Sequence, residues 1–343
     1  MYGGDFLLEI FLFSFNAVMP ILLLALVGYI LKAKGFADDG FFKKANTMVF
    51  RVFLPILLFI NIYEIESLSA INFKAILYCL CAVLFICLIG FIVAKLTAKK
   101  RESIGVITQC SFRSNYAIIG LPLAEALGGT EAVAFASVLS AVTIPLFNTL
   151  AVIILSHYAD SSESSSIKST LKKTAKNPLI LGVLIGVIVL VIRSILPLNE
   201  YGIPIFTIEN DLPFLYSAIK SLSKVASPLA LVVLGARFDF SKVKSLFSEI
   251  LTGTLLRLVF APAFALSVAI LLSKYTNILN ITATEYPALI SLFATPVAVS
   301  SAVMTGEIGG DEQLAGQLVV WTSIISMPSM FAVIFAMKSF ALL

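Results

Sequence analysis

Long apolar runs dominate this chain and restrict the folds open to it. Hydrophobic residues make up 59% of its 343 positions and charged residues 13%, whereas soluble domains average roughly 45–50% and 25%. A membrane-spanning helix needs about 20 apolar residues. The runs predict ten spans, at residues 9–32, 42–62, 73–97, 104–124, 131–157, 177–197, 213–236, 247–273, 285–305 and 314–340. The sequence therefore predicts an all-α polytopic membrane protein whose partner is the lipid bilayer.

The ten predicted spans fall into two groups of five, residues 1–157 and 177–343. Between them, residues 158–176 are rich in serine and charge, which is typical of a solvated linker. An odd number of spans per group would place two related halves in opposite orientations in the membrane. The sequence therefore predicts two inverted five-helix repeats.

Two short matches indicate that the halves are related. The pattern basic-Val-x-x-Pro occurs at residues 51–55 and again at 224–228. The pattern Gly-Gly-x-Glu occurs at residues 128–131 and again at 309–312. The alternative is coincidence within a chain of low-complexity apolar sequence.

The loop cations predict the orientation of the chain. Lysine and arginine concentrate at alternate loops, including the central linker, and are sparse at the other loops. Because cytoplasmic loops carry an excess of these residues, this set should be cytoplasmic and both termini outside. We expect a multi-pass protein of the plasma or inner membrane.

Polar residues interrupt the fourth span at residues 113–123, RSNYAIIGLPL. Ser114 and Asn115 compete for backbone hydrogen bonds, while Gly120 and Pro122 are candidate hinges that weaken a helix. Irregular backbone at membrane depth is tolerated only where it is buried in protein or lines an aqueous cavity. The segment is therefore either a kinked helix without a ligand or part of a binding site.

The ninth span is interrupted in the same way, at Thr295 and Pro296. Alignment of the two Gly-Gly-x-Glu patterns brings Asn115 opposite Pro296. Two broken helices should then meet near mid-membrane, where the positive N-terminal ends of their second halves favour an anion such as a carboxylate. Close packing of helices through small residues is the alternative.

Cations within the spans also favour an anion. Arg51, Arg113, Lys220, Lys224 and Arg257 lie within or near the edges of apolar runs, while no Asp or Glu lies at comparable depth. Such groups normally face a cavity or a partner, although snorkelling to the interface is an alternative for the lysines. The predicted substrate-binding residues are Arg51, Arg113, Ser114, Asn115, Tyr116, Lys224, Thr295 and Pro296, with Gly120, Pro122 and Pro296 as crossover hinges.

The spans contain no Asp or Glu near mid-membrane, and this affects how transport could be coupled to an ion gradient. Transporters usually bind protons and cations through such carboxylates. This favours uniport or a proton carried by the substrate, and leaves open a sodium site of carbonyls and hydroxyls. No enzyme motif or glycine-rich phosphate loop is present. The four cysteines lie in apolar runs and suit packing better than metal binding. We predict no metal, no cofactor and no nucleic-acid partner.

Three longer segments carry a family resemblance: NYAIIGLPL in the fourth span, SPLALVVLGARF in the seventh, and ATPVAVSSAVMTGEIGGDE from the ninth into the tenth. Together with two groups of five spans, they resemble the auxin efflux carrier family, which includes plant PIN auxin exporters and bacterial permeases linked to malate or malonate. The resemblance covers essentially the whole chain.

The resemblance implies a PIN/NhaA-like fold with broken, crossing helices in spans 4 and 9. Spans 1, 2, 6 and 7 would form a scaffold, and spans 3–5 and 8–10 a transport domain that moves as an elevator. It assigns Asn115 as the crossover asparagine and Pro296 as the ninth-span proline, and it suggests a homodimer. PIN proteins have proline where this chain has Ser114, which weakens the case for auxin, and the short linker points to a bacterial-type member.

The sequence therefore predicts a secondary transporter for a small organic anion, such as malate, malonate or an auxin-like acid. A membrane sensor that binds the same ligand without net transport is the alternative.

Overall fold

The fold is seen in a computed structural model, which describes residues 2–64, 72–159, 178–197, 205–276, 278–340 and 342–343. The predicted linker at 158–176 lies outside the described residues except for its first two positions. Within the described ranges the chain is helical, apart from loops and one isolated β-bridge between Ser114 and Val297. The all-α prediction is confirmed.

The helices of the first half are α1 (Tyr2–Ala33), α2 (Asp39–Met48), α3 (Leu54–Tyr63), α4 (Phe73–Thr97), α5 (Arg101–Phe112) and α6 (Leu121–Tyr158). The helices of the second half are α7 (Pro178–Ile195), α8 (Ile208–Asp211), α9 (Pro213–Arg237), α10 (Lys242–Leu255), α11 (Ala261–Tyr275), α12 (Tyr286–Ala294), α13 (Ser300–Ile308) and α14 (Glu312–Ser339). Three π-helical turns continue helices without a break: Val49–Phe53 joins α2 to α3, Tyr116–Gly120 leads into α6, and Leu256–Phe260 joins α10 to α11.

Seven helices in the described ranges are long and apolar enough to cross a membrane. Counted across their π-helical turns, they are Asp39–Tyr63, Phe73–Thr97, Tyr116–Tyr158, Pro178–Ile195, Pro213–Arg237, Lys242–Tyr275 and Glu312–Ser339. Outside these seven lie α1, which contains the apolar stretch Leu22–Ala33, and the shorter helices α5, α12 and α13. The molecule is therefore built as a multi-pass membrane protein.

Glycines let two helix pairs approach backbone to backbone. Where α1 crosses α9, a Cβ on Gly28 would lie 1.8 Å from the carbonyl oxygen of Val232, and one on Gly235 would lie 1.7 Å from that of Ala25. Where α3 packs on α7, a Cβ on Gly182 would lie 2.5 Å from the carbonyl oxygen of Pro55. Contact between α3 and α9 joins these pairs into one group.

The other helices form a second packed group around the two short interrupted helices. In it, α5 packs between α4 and α6, α12 packs against α6 and α11, and α14 packs against α10 and α13. A kink at Gly129, with φ 65° and ψ −156°, divides the long Tyr116–Tyr158 segment into two helices, because glycine adopts such angles without a steric penalty.

The break in the fourth predicted span lies upstream of its two candidate hinge residues. The helix ends at Phe112 and resumes at Tyr116, whereas Gly120 and Pro122 lie within the continuous helix that follows. Pro122 follows directly on the π-helical turn, in which the Leu121 amide donates to the Tyr116 carbonyl five residues earlier. The polar pair Ser114 and Asn115, not the glycine or proline, therefore marks the interruption.

Candidate substrate-binding site

The two interrupted helices meet through their backbones. The Asn115 amide donates to the Pro296 carbonyl at 2.8 Å, and the Ala298 amide donates to the Arg113 carbonyl at 3.2 Å. Each interruption frees backbone groups that would be costly in an apolar interior. By pairing, the two segments supply some of the hydrogen-bond partners that each interruption leaves without one. The predicted proximity of Asn115 to Pro296 is present as a direct hydrogen bond.

Thr295 and Pro296 lie at the crossover but on its side away from the cavity. The Thr295 hydroxyl donates to the carbonyl of Ser291 at 2.8 Å, which ties it to its own helix α12. Neither residue lines the adjacent cavity. Their role in the structure is to shape the crossing, and Pro296 contributes its carbonyl to Asn115.

A cavity of about 60 Å³ lies against the crossover. A buried water needs roughly 10–15 Å³ of such space, so the cavity has room for several waters or a small solute. It lies between the two helix groups, because α3 and α9 line it on one side and α6 with the crossover on the other. Its lining combines apolar side chains with these polar ones: Asn61, Arg113, Ser114, Asn115, Tyr116, Asn148, Ser227 and Ser300.

Arg113 supplies a buried positive charge to this cavity. Its side chain is 3% exposed, and its guanidinium donates to Asn148 Oδ1 at 2.8 Å and to Ser300 Oγ at 2.9 Å. Longer contacts reach Gln109 Oε1 at 3.4 Å and Met304 Sδ at 3.3 Å. Within the described ranges no carboxylate pairs with it. A buried charge held only by neutral groups is costly, and an anion in the cavity would compensate it.

Two neighbouring residues with donor groups also line the cavity, Ser114 and Asn115. Ser114 Oγ and Asn115 Nδ2 are buried without a hydrogen-bond partner among the described residues. The cavity is also lined by Tyr116, Ala117 and Ile118, which begin one half-helix, and by the residues leading into α13, which begins the other. Helix N-termini offer free amides and a positive dipole end. The lining is thus chemically suited to an anion.

Two of the predicted cations lie elsewhere. Arg51, in the π-helical turn after α2, and Lys224, on α9, have exposed side chains and do not line the cavity. Gly120 is buried behind the site, where a Cβ would lie 2.5 Å from the Tyr116 ring and 3.3 Å from the Ser291 carbonyl oxygen. The structure thus brings together Arg113, Ser114, Asn115 and Tyr116. It separates them from Arg51 and Lys224.

Sequence reasoning missed Asn61 and Asn148. Both side-chain amides occur within apolar runs, FINIY and PLFNTLA, and an isolated amide at membrane depth is a signal of function or of interhelical bonding. Asn148 also donates to the Ile144 carbonyl at 2.9 Å, which fixes its oxygen toward Arg113. Ser227 and Ser300 were likewise missed as site residues, because a single serine within an apolar run does not indicate a binding site.

Comparison with known proteins identifies the family of this chain. The family model described as membrane transport protein matches residues 13–334. An uncharacterized transporter of Methanothermobacter thermautotrophicus is 26% identical over 326 residues, which cover 94% of this chain and 97% of that protein. Since the family match spans nearly the whole chain, this protein belongs to the membrane transport protein family.

Proposed function

We propose that the protein is a secondary transporter of a small organic anion, a carboxylate such as malate or malonate, across the plasma membrane. The observation that carries the proposal is Arg113, a buried cation without a carboxylate partner in the described ranges, facing a cavity beside the crossover. A secondary transporter needs such a site inside the membrane, and its half-helix N-termini suit an anion.

We further propose ten spans in two inverted halves, with the cation-rich loops in the cytoplasm and both termini outside. The fourth span would be α5 together with residues 116–128, and the ninth would be α12 with α13. Support comes from the matching position of the two interruptions, each in the fourth span of its half and each followed by a Gly-Gly turn. Each pair contains one glycine with positive φ, the second in the first half (Gly129, 65°) and the first in the second half (Gly309, 90°).

The proposed mechanism is an elevator. The scaffold would comprise α1, α2 with α3, α7 and α9, and the transport domain the remaining spans. The cavity lies on this boundary: Asn61 and Ser227 belong to the scaffold side, and Arg113, Asn115 and Ser300 to the transport side. Sliding of one group past the other would carry a bound anion from one membrane face to the other.

Polar contacts cross the same boundary near the predicted cytoplasmic end. Asn46 Nδ2 donates to Glu307 Oε1 at 3.1 Å, and Thr47 Oγ1 donates to the same oxygen at 2.7 Å. Arg237 and Glu312 form an ion pair from α9 to α14. An elevator cycle must break these contacts, and this requirement gives a test of the mechanism.

Cross-linking Asn46→Cys to Glu307→Cys with a short bis(methanethiosulfonate), which links the two thiols through disulfides, should abolish uptake, and reduction of the disulfides should restore it. The background should lack the four native cysteines. The matched control is Ser103→Cys with Asp311→Cys, whose parent side chains are 2.7 Å apart and lie within the proposed transport domain. Uptake by the linked control should be retained. Equal inhibition of both pairs, or full uptake with Asn46 and Glu307 linked, would contradict an elevator with this boundary.

Replacement of Asn115 by alanine should reduce uptake by about tenfold or more while the protein stays folded. The change removes the buried, unpartnered side-chain amide of a residue that lines the cavity, and hydrogen bonds to charged groups contribute about 1.5–3 kcal/mol. Initial uptake rates against concentration in proteoliposomes measure the effect, and the melting temperature in detergent checks the fold. Unchanged kinetics would exclude the Asn115 side chain from the site.

The function itself is tested by uptake of labelled malate, malonate, succinate and indole acetate into proteoliposomes, with and without proton and sodium gradients. Saturable uptake of one acid would identify the substrate class, and independence from both gradients is expected for a uniporter. Binding of an acid without accumulation would instead favour a ligand sensor.

A further inference from the structure

Arg257 is a fully buried arginine outside the cavity. It lies in the π-helical turn between α10 and α11 and is 0% exposed. Its Nε donates to the Thr295 carbonyl at 2.8 Å, and its Nη1 donates to the Phe112 carbonyl at 3.3 Å. Its Nη2 donates to the carbonyls of Leu292 and Phe293 at 2.8 and 3.1 Å. One guanidinium therefore binds four backbone oxygens.

These oxygens belong to the carboxyl ends of both interrupted helices. Phe112 is the last residue of α5, and Leu292 and Phe293 lie in the last turn of α12. The last carbonyls of a helix have no intrahelical donor, and the end carries roughly −0.5 of a charge. The single positive charge of Arg257 thus matches two negative helix ends that the crossover brings together.

The opposite ends of the crossover face the cavity. There the N-termini of the following half-helices, each roughly +0.5, lie with Arg113. Without Arg257, the two negative ends would oppose this positive potential, and four buried carbonyls would lose a donor. An anion in the cavity would then experience a less favourable field.

We propose that Arg257 is a positioning residue of the anion site, which caps both interrupted helices at once and cancels their negative ends. The inference rests on the proposed anion site. If Arg257 were purely structural, its removal would weaken the binding of all ligands equally. If it cancels the negative helix ends, its removal should weaken binding more for ligands of higher negative charge.

The test compares binding of malonate, a dianion, with binding of malonamate, the monoanion of similar size. Arg257 binds carbonyls within a few residues of the cavity lining, so its charge lies within roughly 10 Å of a ligand. At an effective dielectric constant of about 20, removing it should weaken binding on the order of tenfold per unit of ligand charge. Arg257→Gln should therefore lose about tenfold more affinity for malonate than for malonamate. Equal losses for the two acids would overturn the proposal.

Two variants control for folding. Arg257→Lys keeps the charge and should retain most of the preference for malonate. Arg101→Gln removes another arginine that donates to a helix-end carbonyl, that of His157 at 3.2 Å, at the end of α5 opposite the crossover. It should leave the ratio of the two affinities unchanged, and a change as large as that in Arg257→Gln would overturn the assignment.

Hydrogen exchange on the ligand-free protein separates this inference from the proposed function. Arg257→Gln should speed amide exchange at residues 113–116 and 297–300 by about tenfold, with α4 and α7 unaffected. If the wild type binds neither acid, the proposed function fails. Faster exchange at the crossover would then still support the capping of both interrupted helices by Arg257, and unchanged exchange would overturn it.

Discussion

Replacing Arg113 with glutamine should nearly abolish anion uptake at concentrations near the wild-type KM while leaving the protein folded. Among the residues that the structure describes, the Arg113 guanidinium is the one charged group in the cavity lining, and its partners Asn148 and Ser300 are neutral. Removal of one partner from a buried charge pair costs about 3–5 kcal/mol, which corresponds to at least a hundredfold loss of affinity. Uptake of labelled malonate over a wide concentration range measures this loss as a higher KM.

Arg51→Gln is the matched control, because this arginine has an exposed side chain outside the cavity. Its uptake kinetics should remain close to those of the wild type. The melting temperature of Arg113→Gln should not fall, because the change also relieves the desolvation of a charge without a carboxylate partner in the described ranges. Normal KM in Arg113→Gln, or loss of uptake in Arg51→Gln alone, would contradict the site.

Gly235→Ala should strongly destabilise the protein. The added Cβ would lie 1.7 Å from the carbonyl oxygen of Ala25 and 2.4 Å from its carbonyl carbon, so helices α1 and α9 would have to move apart. Overpacking typically costs 1–3 kcal/mol, and the upper end of about 3 kcal/mol applies because both groups are backbone. In a chain of this size we expect the melting temperature to fall by roughly 5 °C, with a lower yield of folded protein.

Gly316→Ala is the control for this substitution. Gly316 also lies within a helix, α14, but its Cβ would meet only the Leu234 Cδ1 atom at 3.2 Å, and a side-chain methyl can shift. Gly28→Ala, which faces the reciprocal contact with Val232, should resemble Gly235→Ala. A melting temperature in Gly235→Ala equal to that of Gly316→Ala would show that the two helices are not held by close backbone contact.

Local chemistry determined the helical class and the two interruptions. Apolar runs of span length leave the backbone no partners in hydrocarbon other than its own helix, so helices follow from composition alone. Polar residues inside such a run signal a break, as at Ser114 and Asn115. The exact position of the break was harder to predict, since a π-helical turn accommodates Gly120 and Pro122 within a helix.

Selection among the candidate cations could not be made from the sequence. Arg51 and Lys224 occupy matching positions in the two halves, yet both side chains are exposed, while Arg113 is buried in the cavity lining. The direction of a side chain depends on how its helix is rotated against its neighbours, and that rotation is set by packing between segments distant in the chain.

The sequence by itself determined that this is an all-α membrane protein with interrupted helices and buried positive charge. These properties depend on residue type and spacing along one segment. Only the tertiary structure decided that Arg113 lines the cavity with Asn61 and Asn148, and that Arg257 binds the carboxyl ends of both interrupted helices. Those contacts join residues up to 145 positions apart, and hydrogen bonds require placement within a few tenths of an ångström, which no local pattern specifies.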